Sequence, residues 1–113
     1  MARIERIIEK IDKLGKKQNL GALVKMIDDP DDEVRAAVAR SLGQISTYES
    51  GMQLIPLLRD SVPAVRSAAA EAAGNIDAKH CEEYLKKLTY ADPDPDVRVI
   101  AHIAYEKVHK KIL

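Results

Sequence analysis

Apolar residues recur along the chain at intervals of three and four, and one such stripe occurs three times. Val34, Val38, Leu42 and Ile45 are matched by Val65, Ala69, Ala73 and Ile76, then by Val97, Ala101, Tyr105 and Val108. At a turn near 100° per residue each set falls in one narrow arc, which predicts a helix burying that stripe. A shorter apolar stretch precedes each one: Leu23, Val24, Met26 and Ile27; Leu54, Ile55, Leu57 and Leu58; Tyr84, Leu85 and Leu88. The helices are therefore expected in pairs, joined by turns that carry Asp29, Asp60 and Asp92 in register. Pro63 and Pro95 precede the stripe valines by two residues, a place where a first helical turn accepts proline. Asp94 is placed to cap the last helix, and Pro56 is expected to kink the first helix of the second pair.

The Val-Arg dipeptides Val34-Arg35, Val65-Arg66 and Val97-Arg98 recur after 31 and 32 residues. A period of this length marks a solenoid, in which each unit buries its apolar face only against its neighbours. Stepping back one period from the first stripe lands on Ile7, Ile11 and Leu14, with Gly15 expected to end that helix. The expected architecture is all-α: a right-handed α-solenoid of one capping helix followed by three helix pairs. Residues 1–113 are read as a single domain, divided into a cap at 3–18, units at 19–46, 47–77 and 78–109, and a tail at 110–113.

Composition agrees with closely packed helices. Apolar residues make up 46% of the chain, yet the only aromatics are four tyrosines, so small aliphatic side chains must fill the core. Eighteen basic and eighteen acidic residues cancel, giving no bulk field to draw nucleic acid or a membrane. The single cysteine, Cys81, excludes an internal disulfide and suits a reducing compartment. Charged residues interrupt the first helix, and no apolar run approaches the roughly 20 residues of a membrane span. A cytoplasmic location is expected.

The acidic turn, the Val-Arg pair, the alanine run and the ends "LGQI" or "AGNI" resemble the HEAT repeat. The short HEAT-like subtype of phycocyanobilin lyase subunits is the nearest likeness, over residues 20–108 and more loosely 3–19. The third copy departs at its end, which reads "IAYEKV". The resemblance implies a ladder between turn aspartates and repeat arginines, here Asp29, Asp60 and Asp92 with Arg35, Arg66 and Arg98. A phosphate-binding row of arginines is the alternative, less favoured because partly buried Arg is usually paired.

The resemblance also implies a concave surface lined by the second helices. Residues opposite the buried stripe fall in columns: Ala36, Ser67, Val99; Ala39, Ala70, His102; Arg40, Glu71, Ile103; Gly43, Gly74, Glu106. This describes a small-residue trough ending in an apolar ledge at Val99 and Ile103, fit for a partner helix or peptide. Arg40, Ser67, Glu71, His102 and Glu106 would guide the partner, whose identity and the oligomeric state are left open. Shielding of the last helix is the competing role for Val99 and Ile103, and Ile112 and Leu113 offer an end-to-end pairing of two copies.

No catalytic residues, cofactor or metal site are expected, and the chain reads as a non-enzymatic scaffold. Iron-dependent hydroxylases of the HEAT-like class carry His-Glu pairs after the repeat arginine, whereas here Ala36-Ala37, Ser67-Ala68 and Val99-Ile100 follow it. His102, Glu106 and His109 share a helical face but lack an evident second shell. Nucleic-acid binding is one alternative, through the basic ends (Arg3, Arg6, Lys10, Lys13, Lys16, Lys17, Lys107, Lys110, Lys111); the concave columns offer no aromatic for base stacking. An accessory role in a chromophore or cofactor lyase is the other.

Overall fold

The computed structural model describes residues 2–109. The tail 110–113, with Lys110, Lys111 and the proposed pairing through Ile112 and Leu113, lies outside them. Seven α-helices are described: α1 Arg3–Lys16, α2 Leu20–Val24, α3 Asp32–Leu42, α4 Tyr48–Leu58, α5 Pro63–Asn75, α6 Glu82–Ala91 and α7 Pro95–His109. A 3-10 turn, Lys79–Cys81, leads into α6. There is no strand among the described residues, and the chain forms an α-α superhelix of HEAT-like pairs.

Local chemistry sets the helix starts. Asn19 accepts from the Ala22 amide at 3.2 Å, Asp31 from Glu33 at 2.8 Å and Thr47 from Ser50 at 3.1 Å. Asp94 accepts from Asp96 at 2.8 Å and from Val97 at 3.2 Å, which caps α7. Pro63 and Pro95 open α5 and α7, where a missing amide costs nothing. Pro56 lies so near the end of α4 that only Leu57 and Leu58 stay helical beyond it. The first-helix stretch of the first pair is shorter than its apolar residues suggest: α2 ends at Val24, and Met26 and Ile27 sit in a turn.

Two layers result. α1, α3, α5 and α7 stack side by side, while α4 and α6 cover α5 and α7 from one side. The stripe residues are buried here except for half-buried Ile76 and Tyr105, with Val34, Val38, Leu42 and Ile45 at 2% exposure or less. Full burial of one such side chain stabilises by about 1.5–3 kcal/mol, so this stripe is the main apolar seam. The stacked layer is much tighter than the covering one, since α4 and α6 barely touch.

Small residues make that tightness possible. A Cβ added at Gly43 would lie 2.9 Å from the Ala72 Cβ, and one at Gly74 would lie 3.0 Å from the Ala104 Cα. Gly15 plays the same part between α1 and α3, where its Cβ would meet the Ser41 side chain at 2.8 Å. Gly15 therefore does not terminate α1, which continues to Lys16; the left-handed residue after it is Gln18, at φ 60°. Ala36, Ala39 and Ala70, expected on the trough floor, are buried between neighbouring helices. A helix inside a stack has neighbours on both flanks as well as beneath it, so a position opposite the apolar stripe is not thereby solvent-facing.

Candidate partner-binding face

The arginines after the stripe valines run along one edge of the stack. Arg35 donates from Nη1 to the Asp29 carbonyl at 2.8 Å, and from Nε and Nη2 to the Asp60 carboxylate at 2.8 and 3.1 Å. Arg66 repeats this, with Nη1 on the Asp60 carbonyl at 2.8 Å and Nε and Nη2 on Asp92 at 2.7 and 3.0 Å. Each arginine thus grips its own turn by a carbonyl and the next unit by a two-pronged carboxylate bond. Burial pushes the Asp92 carboxyl up, but hydrogen bonds from Arg66 and the Asp94 amide, with the Arg66 and Arg98 charges, outweigh it and hold it below its ordinary 3.8. Asp60 is likewise lowered, by Arg35 and the Val62 amide against its burial.

The ladder is open at both ends. The Asp29 carboxylate accepts from the Asp31 amide at 2.9 Å and meets no arginine among the described residues, Arg35 reaching only its carbonyl. Arg98 holds the Asp92 carbonyl at 2.6 Å through Nη1, in the pose of its two predecessors, with no described carboxylate on its other nitrogens.

The repeat columns show which face of α7 lies beyond that arginine. Gly43 and Gly74 face the next helix of the stack, and Glu106 occupies their place in α7. Where α3 and α5 turn Ala36, Ala39, Ser67, Ala70 and Gly74 towards a following helix, α7 presents Val99, His102 and Glu106. Val99 is 61% exposed and Ile103 53%. One turn apart, they form a continuous apolar patch beside Arg98. Arg40, Glu71 and Ile103 line the solvent-facing strip that crosses α3, α5 and α7. Ser67 is half-buried beside it. The structure thus gathers Val99, His102, Ile103 and Glu106 on α7, while Arg40, Ser67 and Glu71 lie on the earlier helices. Between α5 and α7 a depression of about 60 Å³ opens, lined by Glu71, Ile100, Ile103, Ala104 and Lys107.

The histidines of α7 do not converge. His102 Nε2 lies 3.8 Å from the Glu106 carboxylate, whereas His109 turns away, with Nδ1 2.8 Å from Glu82 and its ring stacked on Tyr105. Glu82, which also takes a hydrogen bond from Lys79, is held below its ordinary range by Lys79 and then His109. Cys81 is buried, and burial pushes its thiol up to about 11, the opposite of an activated thiolate.

Comparison with known proteins adds two findings. The HEAT repeat matches residues 20–48 and 53–79. Deoxyhypusine hydroxylase of Schizosaccharomyces pombe is 33% identical over an alignment 112 residues long, gaps included, that covers 90% of this chain and 34% of that protein. The chain therefore covers about a third of the relative's length. That relative is an enzyme, and it overturns the expectation that the chain stands apart from enzymes. Neither finding points specifically to the phycocyanobilin lyase subtype. The side chains after the repeat arginines, Ala36-Ala37, Ser67-Ala68 and Val99-Ile100, supply no imidazole or carboxylate. Among the described residues no three His, Cys, Asp or Glu gather to hold a metal ion. No helix among the described residues is long and apolar enough to cross a membrane. By its paired helices, its Asp–Arg edge and the matched repeats, this chain belongs to the HEAT-repeat family.

Proposed function

We propose that this helical repeat scaffold binds a protein segment on the outer face of α7. The observation that carries the reading is the exposure of two large apolar side chains on α7: Val99 stands where α3 and α5 have buried Ala36 and half-buried Ser67, and Ile103 where they have exposed Arg40 and Glu71. Apolar side chains of this size gain by leaving water, and two of them one turn apart match the anchors of a docked helix. Arg98 adds a directional element: its nitrogens that hold no carboxylate among the described residues donate to a carboxylate of the partner, as Arg35 and Arg66 donate to Asp60 and Asp92. Glu106 in place of glycine keeps a partner helix from the close approach seen between α3, α5 and α7. The partner thus bears apolar residues and an acidic one, and sits further out than a repeat helix would. Arg40, Ser67 and Glu71 contribute polar contacts at the margin.

Proteins retained by the native chain but lost by both Ile103→Glu and Arg98→Glu are the expected result, with the melting temperature unchanged for Ile103→Glu and native helicity kept at the assay temperature for Arg98→Glu, which also gives up its bond to the Asp92 carbonyl. Retention by both variants would overturn the assignment of the face.

The hydroxylase relative favours a second reading, in which the scaffold serves hydroxylation of a deoxyhypusine-bearing protein. Its test is mass spectrometry of such a protein incubated with the chain, dioxygen, ferrous iron and a reductant, which supply the oxygen atom and the two electrons that reduce the second oxygen to water. A gain of one oxygen atom supports it, and an unchanged mass after full turnover by an authentic hydroxylase control removes it.

A further inference from the structure

A second surface lies in the opposite layer. α5 and α7 stay in close contact while α4 and α6 diverge, leaving a valley of about 410 Å³ between the covering helices. Its size falls within the roughly 300–1,000 Å³ of small-molecule sites. Leu58, Tyr84 and Leu88 give it an apolar wall with one aromatic ring, and Arg59 and Lys87 stand at its rim.

The charges of this valley are unequal in what they leave free. Asp60 and Asp92 border it, but their oxygens already accept from Arg35 and Arg66 and from the Val62 and Asp94 amides. Arg59 and Lys87 are exposed and make no ion pair among the described residues. The uncommitted charge is therefore two cations beside an apolar wall. A hollow of similar size near α1, about 400 Å³, leans the other way, because the Asp29 and Asp31 carboxylates line it without an arginine bridge, against the single cation Arg3.

We propose that the α4–α6 valley binds a small amphipathic anion: an aromatic or aliphatic body bearing one carboxylate, sulfonate or phosphate group. The body lies against Leu58, Tyr84 and Leu88, and the anionic group meets Arg59 and Lys87. Charge-assisted contacts at a half-open site discriminate modestly, so selectivity rests on both features together.

The test uses 8-anilinonaphthalene-1-sulfonate as the anion and N-phenyl-1-naphthylamine as its uncharged counterpart. Fluorescence titration is expected to saturate at one sulfonate per chain, with a dissociation constant below about 1 mM. Arg59→Glu and Lys87→Glu, each checked for native helicity, are expected to weaken binding about fivefold to tenfold. The uncharged probe is expected to bind at least about fivefold more weakly than the sulfonate. Amide shifts should cluster on α4 and α6, and Ile103→Glu should leave the affinity unchanged. Absence of saturation, equal affinity for the two probes, indifference to both charge reversals or shifts centred on α7 would each overturn the site. The α7 proposal survives such a failure, since it occupies the other layer and is tested by other variants.

Discussion

Asp92→Asn removes one charge from the second rung of the ladder while keeping the side chain's shape. Asp92 is 5% exposed and takes two bonds from Arg66, at 2.7 and 3.0 Å, plus the Asp94 amide at 2.9 Å. Breaking a buried ion pair by deleting one partner costs about 3–5 kcal/mol, because the other charge stays desolvated. The asparagine retains an acceptor for the amide and one for the guanidinium, so about 2 kcal/mol is expected. For a chain of this size that is a fall in Tm of about 10 °C. Urea unfolding of Asp92→Asn, Arg66→Met and the double variant would give the coupling directly, with about 1.5–2.5 kcal/mol expected between the two sites. The folded carboxyl lies below its ordinary 3.8, so the contribution is complete above the unfolded value. It is lost as pH falls through that value towards the folded one. The gap between native and Asp92→Asn should therefore be constant from pH 7 to 5 and close below about pH 4. A coupling under about 0.5 kcal/mol at pH 7 would mean that the pair behaves as a surface salt bridge and that the stack is held by apolar packing alone.

Arg98→Met is expected to cost less than half of what Arg66→Met costs in the same urea experiment, since Arg98 holds only a carbonyl among the described residues. Equal losses would show that Arg98 has an equivalent carboxylate partner within the chain. Gly43→Ala should destabilise by about 1–2 kcal/mol despite the better helix propensity of alanine, because its Cβ meets Ala72 at 2.9 Å. Gly21→Ala, with nothing within 4 Å, should instead be neutral or stabilising by up to about 1 kcal/mol; calorimetry of both checks the opposite signs. The Cys81 thiol, buried and raised to about 11, should resist iodoacetamide at pH 8 in the folded chain and react on unfolding in urea. Rapid labelling of the native state would contradict that burial.

The apolar stripes made the stacking helices legible, because Val, Leu and Ile at helical spacing have few other uses. The 31- and 32-residue period likewise identified the pairs. Less legible was the depth of the contacts. Ala36, Ala39 and Ala70 lie opposite the stripe on a helical wheel, and only knowing that flanking helices cover them makes them core. Their smallness was the available signal, as it was for Gly15, Gly43 and Gly74: columns of alanine and glycine in successive repeats mean close approach rather than a smooth floor. The same columns explain why Val99, His102 and Glu106 stand out, since they break the small-residue rule at the last helix. Spacing alone brought His102, Glu106 and His109 to one face, but the side chain of His109 answers to Glu82 and Tyr105, distant in sequence or on another helix turn. The α4–α6 valley had no sequence signature, because it arises from the divergence of two helices. Kinship with an enzyme was equally hidden, as the residues expected to carry the chemistry are absent from these repeats.

A photo-crosslinking amino acid placed at Val99, and in parallel at Ile103, Glu49 and Glu83, separates the α7 face from the rest of the surface. Irradiation in cells that produce the chain, followed by mass spectrometry, is expected to give a shared protein adduct from positions 99 and 103 that positions 49 and 83 do not form. Adducts from 49 or 83 with none from 99 and 103 would place the partner on the covering layer and contradict the function proposed for α7.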